Sequence, residues 1–359
     1  MTEIANKLAH VRAAIARYKY GAVRLRGVDW FAWATAGLDN VVILTTETGI
    51  AEVVITADQA FIVTDSVEID RLRDQGIPAE YQLWASNWAT PEQRNQAVRE
   101  WSNATLVASD RPAQGEVALP PELIAAKLRL VPEEIERYQA LSRTTAQIMT
   151  KVLSAAKPDW TEFQLAGAAA AELWSHGIHP ALTLVGGERR LPLYGHLPAT
   201  HEPIGQRAML VVCARQAGLY ANLSRYVHFR PETAAERASY EQVIAIEAEI
   251  IAAAQVGSTV GSVYDAAVAA YSKRGVVEQM PHLHKGGTTG YQSREVVARP
   301  GEPTIIEANT AMAWNPSLAG VKIEDTILRT AAGVEVLSVD PAWPSVEYAG
   351  LRRALPLVI

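Results

Sequence analysis

The sequence predicts two folded units of different class, a smaller α/β unit followed by a larger α+β unit. Three observations predict this. The chain is 359 residues long, more than one hydrophobic core usually organises. Its first hundred residues alternate helical and extended patterns. After a break rich in proline and glycine, the order becomes two helices, strands, two helices and strands. That is not the βαβ alternation of a doubly wound sheet.

Ile4, Leu8, Val11, Ile15 and Tyr18 recur at three- and four-residue spacing, which predicts a helix with one buried face within Met1–Tyr20. Short apolar, β-branched runs at Ala22–Leu25, Val42–Thr45, Val53–Ile55 and Ala60–Val63 predict strands, the last two joined as a hairpin by Thr56-Ala57-Asp58-Gln59. Val67–Gln75 and Thr90–Trp101 read as helices, the second with a threonine cap and Pro91 at its first position. Arg111–Gly115 and Leu119-Pro120-Pro121 carry loop signals and predict the linker, giving units of residues 1–125 and 126–359.

In the second unit, Pro132-Glu133-Glu134 opens a long helix, with proline and acids where a helix amino terminus favours them. Its apolar face is Ile135, Tyr138, Leu141, Ile148 and Val152, and an alanine-rich helix follows from Thr161-Glu162 to about Trp174. Extended patterns come at Ala181–Val185, Ala208–Ala214 and Gly218–Phe229, then helices over Glu232–Ala254 and Val260–Arg274. Strand-like stretches around Met280–His284, Thr310–Asn315, Val321–Arg329 and Val334–Leu337 finish the chain.

Composition narrows the class without naming an activity. The 33 basic and 39 acidic residues leave a net charge of −6, with 49% apolar and 20% charged residues. This excludes a disordered chain and lacks the basic excess of a nucleic-acid binder. No apolar run approaches the roughly 20 residues that span a bilayer, and the first helix reads as charged rather than as a secretory signal. The single cysteine, Cys213, excludes an intrachain disulfide and a cysteine-rich metal site. A cytoplasmic protein with a small-molecule substrate, and without a nucleic-acid or membrane partner, is expected.

Five segments, in order, carry a resemblance: Lys127 to Arg137, Lys157 to Leu165, Leu219 to Arg225, Gly286 to Glu295, and Gly320-Val321-Lys322-Ile323-Glu324-Asp325-Thr326. Together they resemble the M24 peptidase family, whose members include methionine aminopeptidase, Xaa-Pro aminopeptidase, prolidase and creatinase. The resemblance implies a pita-bread catalytic domain, preceded by a creatinase-type α/β domain, in a homodimer. Active members hold two divalent metals through two aspartates, a histidine and two glutamates. Paired cations lower the pKa of a bridging water and polarise the scissile carbonyl.

Carried over position by position, the resemblance puts the aspartates on Val211 and Asn222, the histidine on Gly287 and the glutamates on Asn315 and Glu324. One ligand of five is retained. A register slip cannot restore the others, because Met209 to His228 contains no acid. Valine and glycine offer no donor, and neutral asparagine does not offset a dication. No cofactor is therefore expected, and an M24 protein without the usual metals is the prediction.

Creatinase, which cleaves a C–N bond without metal, supplies the leading reading. Its functional histidine falls in Leu191-Pro192-Leu193-Tyr194-Gly195-His196, on Leu193 directly or on His196 one short step further. His196 is the candidate general base, as imidazole is suited to taking a proton near neutrality; a hydrogen-bonded loop histidine is the alternative. Glu324 is expected to have a raised pKa and to serve as acid or anchor, or else to pair with Lys322, Arg225 or Arg294. Asn222, Asn315, Arg294, Glu295, Arg225 and Tyr194 are candidates for substrate binding, with Arg225 and Glu295 also readable as structural. Guanidinium groups suit an anionic or zwitterionic substrate.

The remaining signals are weaker. His282 and His284 would alternate on one strand face and could join His196 around a new metal. His228 and His201 could line the mouth of the pocket or take surface or loop positions, Trp30 and Trp33 could cap a ligand or simply pack, and Trp314 could fill vacated space. Cys213 sits in an apolar strand and reads as a buried, inert thiol. The expected function is metal-independent hydrolysis of a C–N or amide bond in a small polar molecule. A non-catalytic relative that binds a ligand or partner is the alternative, and a metallopeptidase with unusual ligands is the third.

Overall fold

The computed structural model describes residues 2–359; Met1, part of the first predicted helix, lies outside them. The chain divides into two compact units, Met1–Glu133 and Glu134–Ile359.

In the first unit, α1 (Glu3–Tyr18) begins where the Thr2 side chain accepts the Ala5 N–H and ends at Lys19 in the left-handed region. It is followed by β1 (Ala22–Gly27), α2 (Val28–Ala34), β2 (Thr48–Ile55), β3 (Ala60–Asp65), α3 (Ile69–Gln75), β4 (Gln82–Ser86), α4 (Glu92–Trp101), β5 (Val107–Ser109), β6 (Glu116–Ala118) and α5 (Pro121–Leu128). The strands form one mixed sheet in the order β4-β3-β2-β1-β5-β6. The predicted hairpin is β2–β3, with Val53 opposite Ile62.

Two expectations fail here, and one open alternative is decided. Val42–Thr45 forms no strand, because β1 is already flanked by β2 and β5, and Val42, Ile43 and Leu44 stand exposed. Arg111–Gly115 is a turn inside the sheet that leads into edge strand β6, held by the Arg26–Glu116 ion pair. Trp30 and Trp33 are buried and pack edge-to-face with centroids 5.3 Å apart. Lys127 and Lys7 lie over their rings, so packing accounts for both tryptophans.

The boundary falls in the first turn of α6 (Pro132–Ala155), which is followed by α7 (Glu162–Ser175), whose Thr161 and Gln164 form a capping box. Then come β7 (His179–Gly187), β8 (Arg207–Gln216), β9 (Leu219–His228), α8 (Ala234–Ala253) and α9 (Val260–Lys273). Short strands complete the unit: β10 (Gly286–Thr288), β11 (Val296–Val297), β12 (Thr310–Trp314), β13 (Ser317–Leu318), β14 (Val321–Lys322), β15 (Asp325–Arg329), β16 (Val334–Val336), β17 (Ser345–Tyr348), β18 (Leu351–Ala354) and β19 (Leu357–Val358). They build a five-stranded sheet, β11-β10-β12-β15-β16, and a four-stranded sheet, β19-β9-β8-β7. The two sheets meet where the Ser224 N–H donates to Glu324 O at 3.0 Å.

A core of Ile246, Ile250, Val263, Tyr271, Met312, Trp314 and Ile327 joins α8 and α9 to the five-stranded sheet. Strand alternation sends Trp314 into that core, so it does not fill the space around Asn315 on the opposite face. The predicted strand at Met280–His284 is instead a 3-10 helix, Val277–His282, containing Pro281, which lacks a donor for a sheet ladder. His282 and His284 therefore do not alternate along a strand.

Candidate functional site

Antiparallel pairing fixes what the central strands can present. In β8–β9, Val211 lies opposite Ser224 and Cys213 opposite Asn222, so these four share one face. Thr326 of β15 clamps Asn222, its hydroxyl accepting the Asn222 N–H at 2.7 Å and donating to the Asn222 carbonyl at 3.0 Å. In β10–β12, Gly287 lies opposite Ala313, and the Asn315 N–H donates to Lys285 O at 3.0 Å. Trp314 pairs with Asp325, so Asn315 and Glu324 follow side by side at the end of β12–β15.

At this centre stands a three-membered ion cluster. Glu324 is 2% exposed; its Oε2 accepts Lys322 Nζ at 2.6 Å, and its Oε1 accepts Arg294 Nη2. Burial alone would raise the carboxyl pKa, but Lys322 and Arg294 outweigh it and pull it down to about 2. The expected rise is thus reversed: Glu324 is a fixed carboxylate, fit to anchor and unfit to donate a proton near neutrality. Asn222 Nδ2 donates to Thr289 Oγ1 at 2.8 Å, whereas Asn222 Oδ1 and Asn315 Oδ1 are buried and meet no donor among the described residues.

Arg225 lies on the other face of β9. Its Nη2 donates to Asp325 Oδ1 and to the Ser338 carbonyl, each at 2.7 Å, and Arg353 and Glu247 extend the buried network. Alternation along the strand turns Arg225 away from the face of Asn222, contrary to the orientation expected from the sequence. Glu295 Oε1 accepts the Tyr291 N–H at 2.9 Å and holds the turn after β10.

A cavity of about 720 Å³ opens beside this centre, lined by Tyr194, His196, Gln279, His282, Ser317 and Lys322 among others. Tyr194 and His196 sit on the exposed loop after Leu191, and Leu193 lines the same space, so both family-histidine registers face it. The His196 ring centroid is 6.1 Å from that of His284. Crowding around the His284 ring, with Arg294 adding repulsion, pushes its pKa down to about 4. Asn222, Asn315, Arg294 and Glu324 do not line the cavity. Lys322 does, and it joins the cavity to the ion cluster.

Burial pushes the Cys213 thiol up to about 12, with Glu324 adding to the effect, which fits an inert thiol. His228 is buried beneath a second cavity of about 130 Å³, where burial pushes it down to about 4. His201 packs edge-on against Phe163. Lys285, Thr289 and Thr326 were not singled out from the sequence. A lysine followed by two glycines at the start of β10 was the available signal for Lys285.

The donor set does not fit a dinuclear metal. Val211 and Gly287 have no ligating atom, Asn222 and Asn315 are neutral, and Glu324 is engaged by two side-chain cations. Gly287 also has no room for a larger residue, since a Cβ there would lie 1.9 Å from Val296 O. Among the described residues, no group of three or more His, Cys, Asp or Glu could hold a metal ion, so His196, His282 and His284 do not assemble one.

A helix-flanked pair of sheets with a smaller α/β unit before it defines the class. The chain belongs to metallopeptidase family M24, which residues 136–331 match, and has the pita-bread fold of that family. It is similar to the prolidase from Pyrococcus horikoshii OT3, with TM-score 0.78 and 15% identity over 93% of this chain and 98% of that one. It is also similar to the X-Pro aminopeptidase from Thermotoga maritima MSB8, with TM-score 0.78 and 14% identity over 98% and 99%. The N-terminal domain of the FACT complex subunit SPT16 from Cicer arietinum (chickpea) is similar too, with TM-score 0.71 and 12% identity over 94% and 96%. No curated protein matches the sequence. Among the described residues, no helix is long and apolar enough to cross a membrane.

Proposed function

We propose that this chain is a metal-independent M24 hydrolase acting on a C–N or amide bond of a small polar or anionic molecule. The observation that carries the reading is the ion pair of Lys322 with Glu324: a side-chain ammonium that lines the cavity takes the retained metal-ligand carboxylate. His196 accepts a proton from water as the oxygen attacks the substrate carbonyl carbon. Lys322 keeps N–H donors beyond the one given to Glu324 and offers one to the developing oxyanion. Collapse breaks the C–N bond, and the proton on His196 passes to the leaving amine. Glu324, itself held by Arg294 at its other oxygen, keeps Lys322 in place.

The test is turnover of a panel of small amides by the purified protein, with and without chelator. Activity indifferent to chelation, and lost in His196→Ala, is the expected result. Stoichiometric bound metal with activity abolished by chelation would sink the reading. The homodimer in the cytoplasm belongs to the same proposal, and sedimentation of the purified chain tests the dimer.

A non-catalytic, ligand-binding member is the second reading. The burial of Asn222 and Asn315 away from the cavity, and the absence of Arg294 from its lining, favour it. It predicts no turnover of any substrate, and binding that survives His196→Ala.

A further inference from the structure

Four lysines are buried among the described residues: Lys7, Lys127, Lys285 and Lys322. Three have a carboxylate partner: Glu3 at 2.6 Å, Asp29 at 2.5 Å and Glu324 at 2.6 Å. Lys285 has none. Its Nζ meets only the Gln279 carbonyl at 3.5 Å and the Tyr271 ring at 4.9 Å, and the residue is 1% exposed. A buried cation without a counter-charge is costly to the folded state. Departures of this kind concentrate where a ligand supplies what the protein lacks.

The surroundings say where that ligand would lie. Gln279 lines the 720 Å³ cavity, and so does Ser317, whose N–H and carbonyl both bond the Tyr271 hydroxyl, at 2.8 and 2.9 Å. Lys285 therefore sits directly behind the cavity wall, while Lys322 forms part of that wall. With Arg294, these make three cations against the single carboxylate of Glu324. Glu278 is the acid on the cavity lining, and it is exposed at the rim. Burial also pushes the Lys285 ammonium down to about 8, which still leaves it mostly charged at neutral pH, and a negative group beside it would favour that charged form.

We propose that the cavity binds its ligand through a carboxylate, for which Lys285 supplies the counter-charge behind the wall and Lys322 the one on the wall itself. A carboxylate fits better than a phosphate dianion, because Arg294, the fork-shaped donor nearby, is already committed to Glu324. The proposal rests on reading this cavity as the substrate site and names the substrate class.

Calorimetric titration of the full chain at neutral pH with N-acetylglycine, its neutral amide N-acetylglycinamide, and inorganic phosphate tests it. The wild type is expected to prefer the carboxylate over the neutral amide by roughly tenfold or more, the scale of one hydrogen bond to a charged group. Lys285→Met should abolish that preference while raising the melting temperature of the free protein, since it removes an uncompensated charge. Lys285→Arg should keep part of the preference, which covers the case in which Lys285→Met fails to fold. Absence of binding, equal affinity for acid and amide, tighter phosphate binding, or a preference that survives in folded Lys285→Met would overturn the assignment. The readout is independent of turnover. Carboxylate-selective binding without hydrolysis of any amide would sink the catalytic reading alone, and hydrolysis without carboxylate preference would sink this one alone.

Discussion

Lys322 Nζ lies 2.6 Å from Glu324 Oε2, and Arg294 closes on the other oxygen of the same carboxylate. Two protein cations thus engage one buried carboxylate. Their charges offset its burial and keep Glu324 ionised.

Removing the acid should be more damaging than removing either base. Glu324→Gln removes the shared partner of buried Lys322 and half-buried Arg294, and a loss of about 3–5 kcal/mol is expected in urea unfolding. A cycle with Lys322→Met should show coupling on the order of 1–3 kcal/mol between the two positions. A Glu324→Gln protein as stable as wild type would show the cluster to be incidental.

Acid stability should carry the signature of the same carboxylate. The folded pKa of Glu324 lies at about 2, below its ordinary value of 4.5, so the native state binds fewer protons than the unfolded one in between. Its contribution is fully present above the unfolded pKa and is lost as pH falls from 4.5 toward 2, amounting to about 3 kcal/mol. Urea midpoints measured across that window should fall less steeply in Glu324→Gln.

Glu247 should act with the opposite sign. Burial raises its pKa from 4.5 to about 7, Asp325 adds to the rise, and Arg353 only partly offsets it. The native state then binds more protons than the unfolded one, so this group costs stability as pH rises from 4.5 through 7. Glu247→Gln should flatten the pH dependence in that window. A curve identical to wild type would place the ionisation elsewhere.

Gly287 should resist substitution. A Cβ there would lie 1.9 Å from Val296 O, with φ at 155°, so Gly287→Ala is expected to cost about 3 kcal/mol or more. Adding zinc or manganese should leave the melting temperature of the wild type unchanged, because no stoichiometric site is there to bind it. A metal-dependent rise would contradict the donor-set argument.

The native Cys213 thiol should be silent. With its pKa at about 12 and the residue buried, a disulfide reagent at neutral pH should react only as fast as the protein unfolds. Rapid stoichiometric labelling of the folded protein would mean that the β8–β9 face is open.

Much of the second unit was legible in the sequence, because its long elements carry strong local signals. Pro132 and Thr161 mark helix starts through their own side chains, and β8 reads as an apolar run that needs no distant partner to be recognised. Val42–Thr45 misled for the complementary reason. β-branched residues favour a strand only where a sheet edge is available, and β1 had none free. Pro281 likewise turned an extended pattern into a 3-10 turn.

What the sequence by itself determined is the family scaffold and the residue types on its central strands: Val211, Asn222, Gly287 and Asn315 stand in the chain whatever the fold does. Tertiary structure decided what the survivors do. Only packing could show that Arg225 turns to Asp325, that Arg294 and Lys322 converge on Glu324, and that this carboxylate is stabilised as an anion rather than protonated. Only packing, too, leaves Lys285 buried and unpaired behind a cavity wall. Spacing along a strand records which face a side chain takes. The sign of a pKa shift depends on charges brought from other strands, and burial is a property of the closed fold.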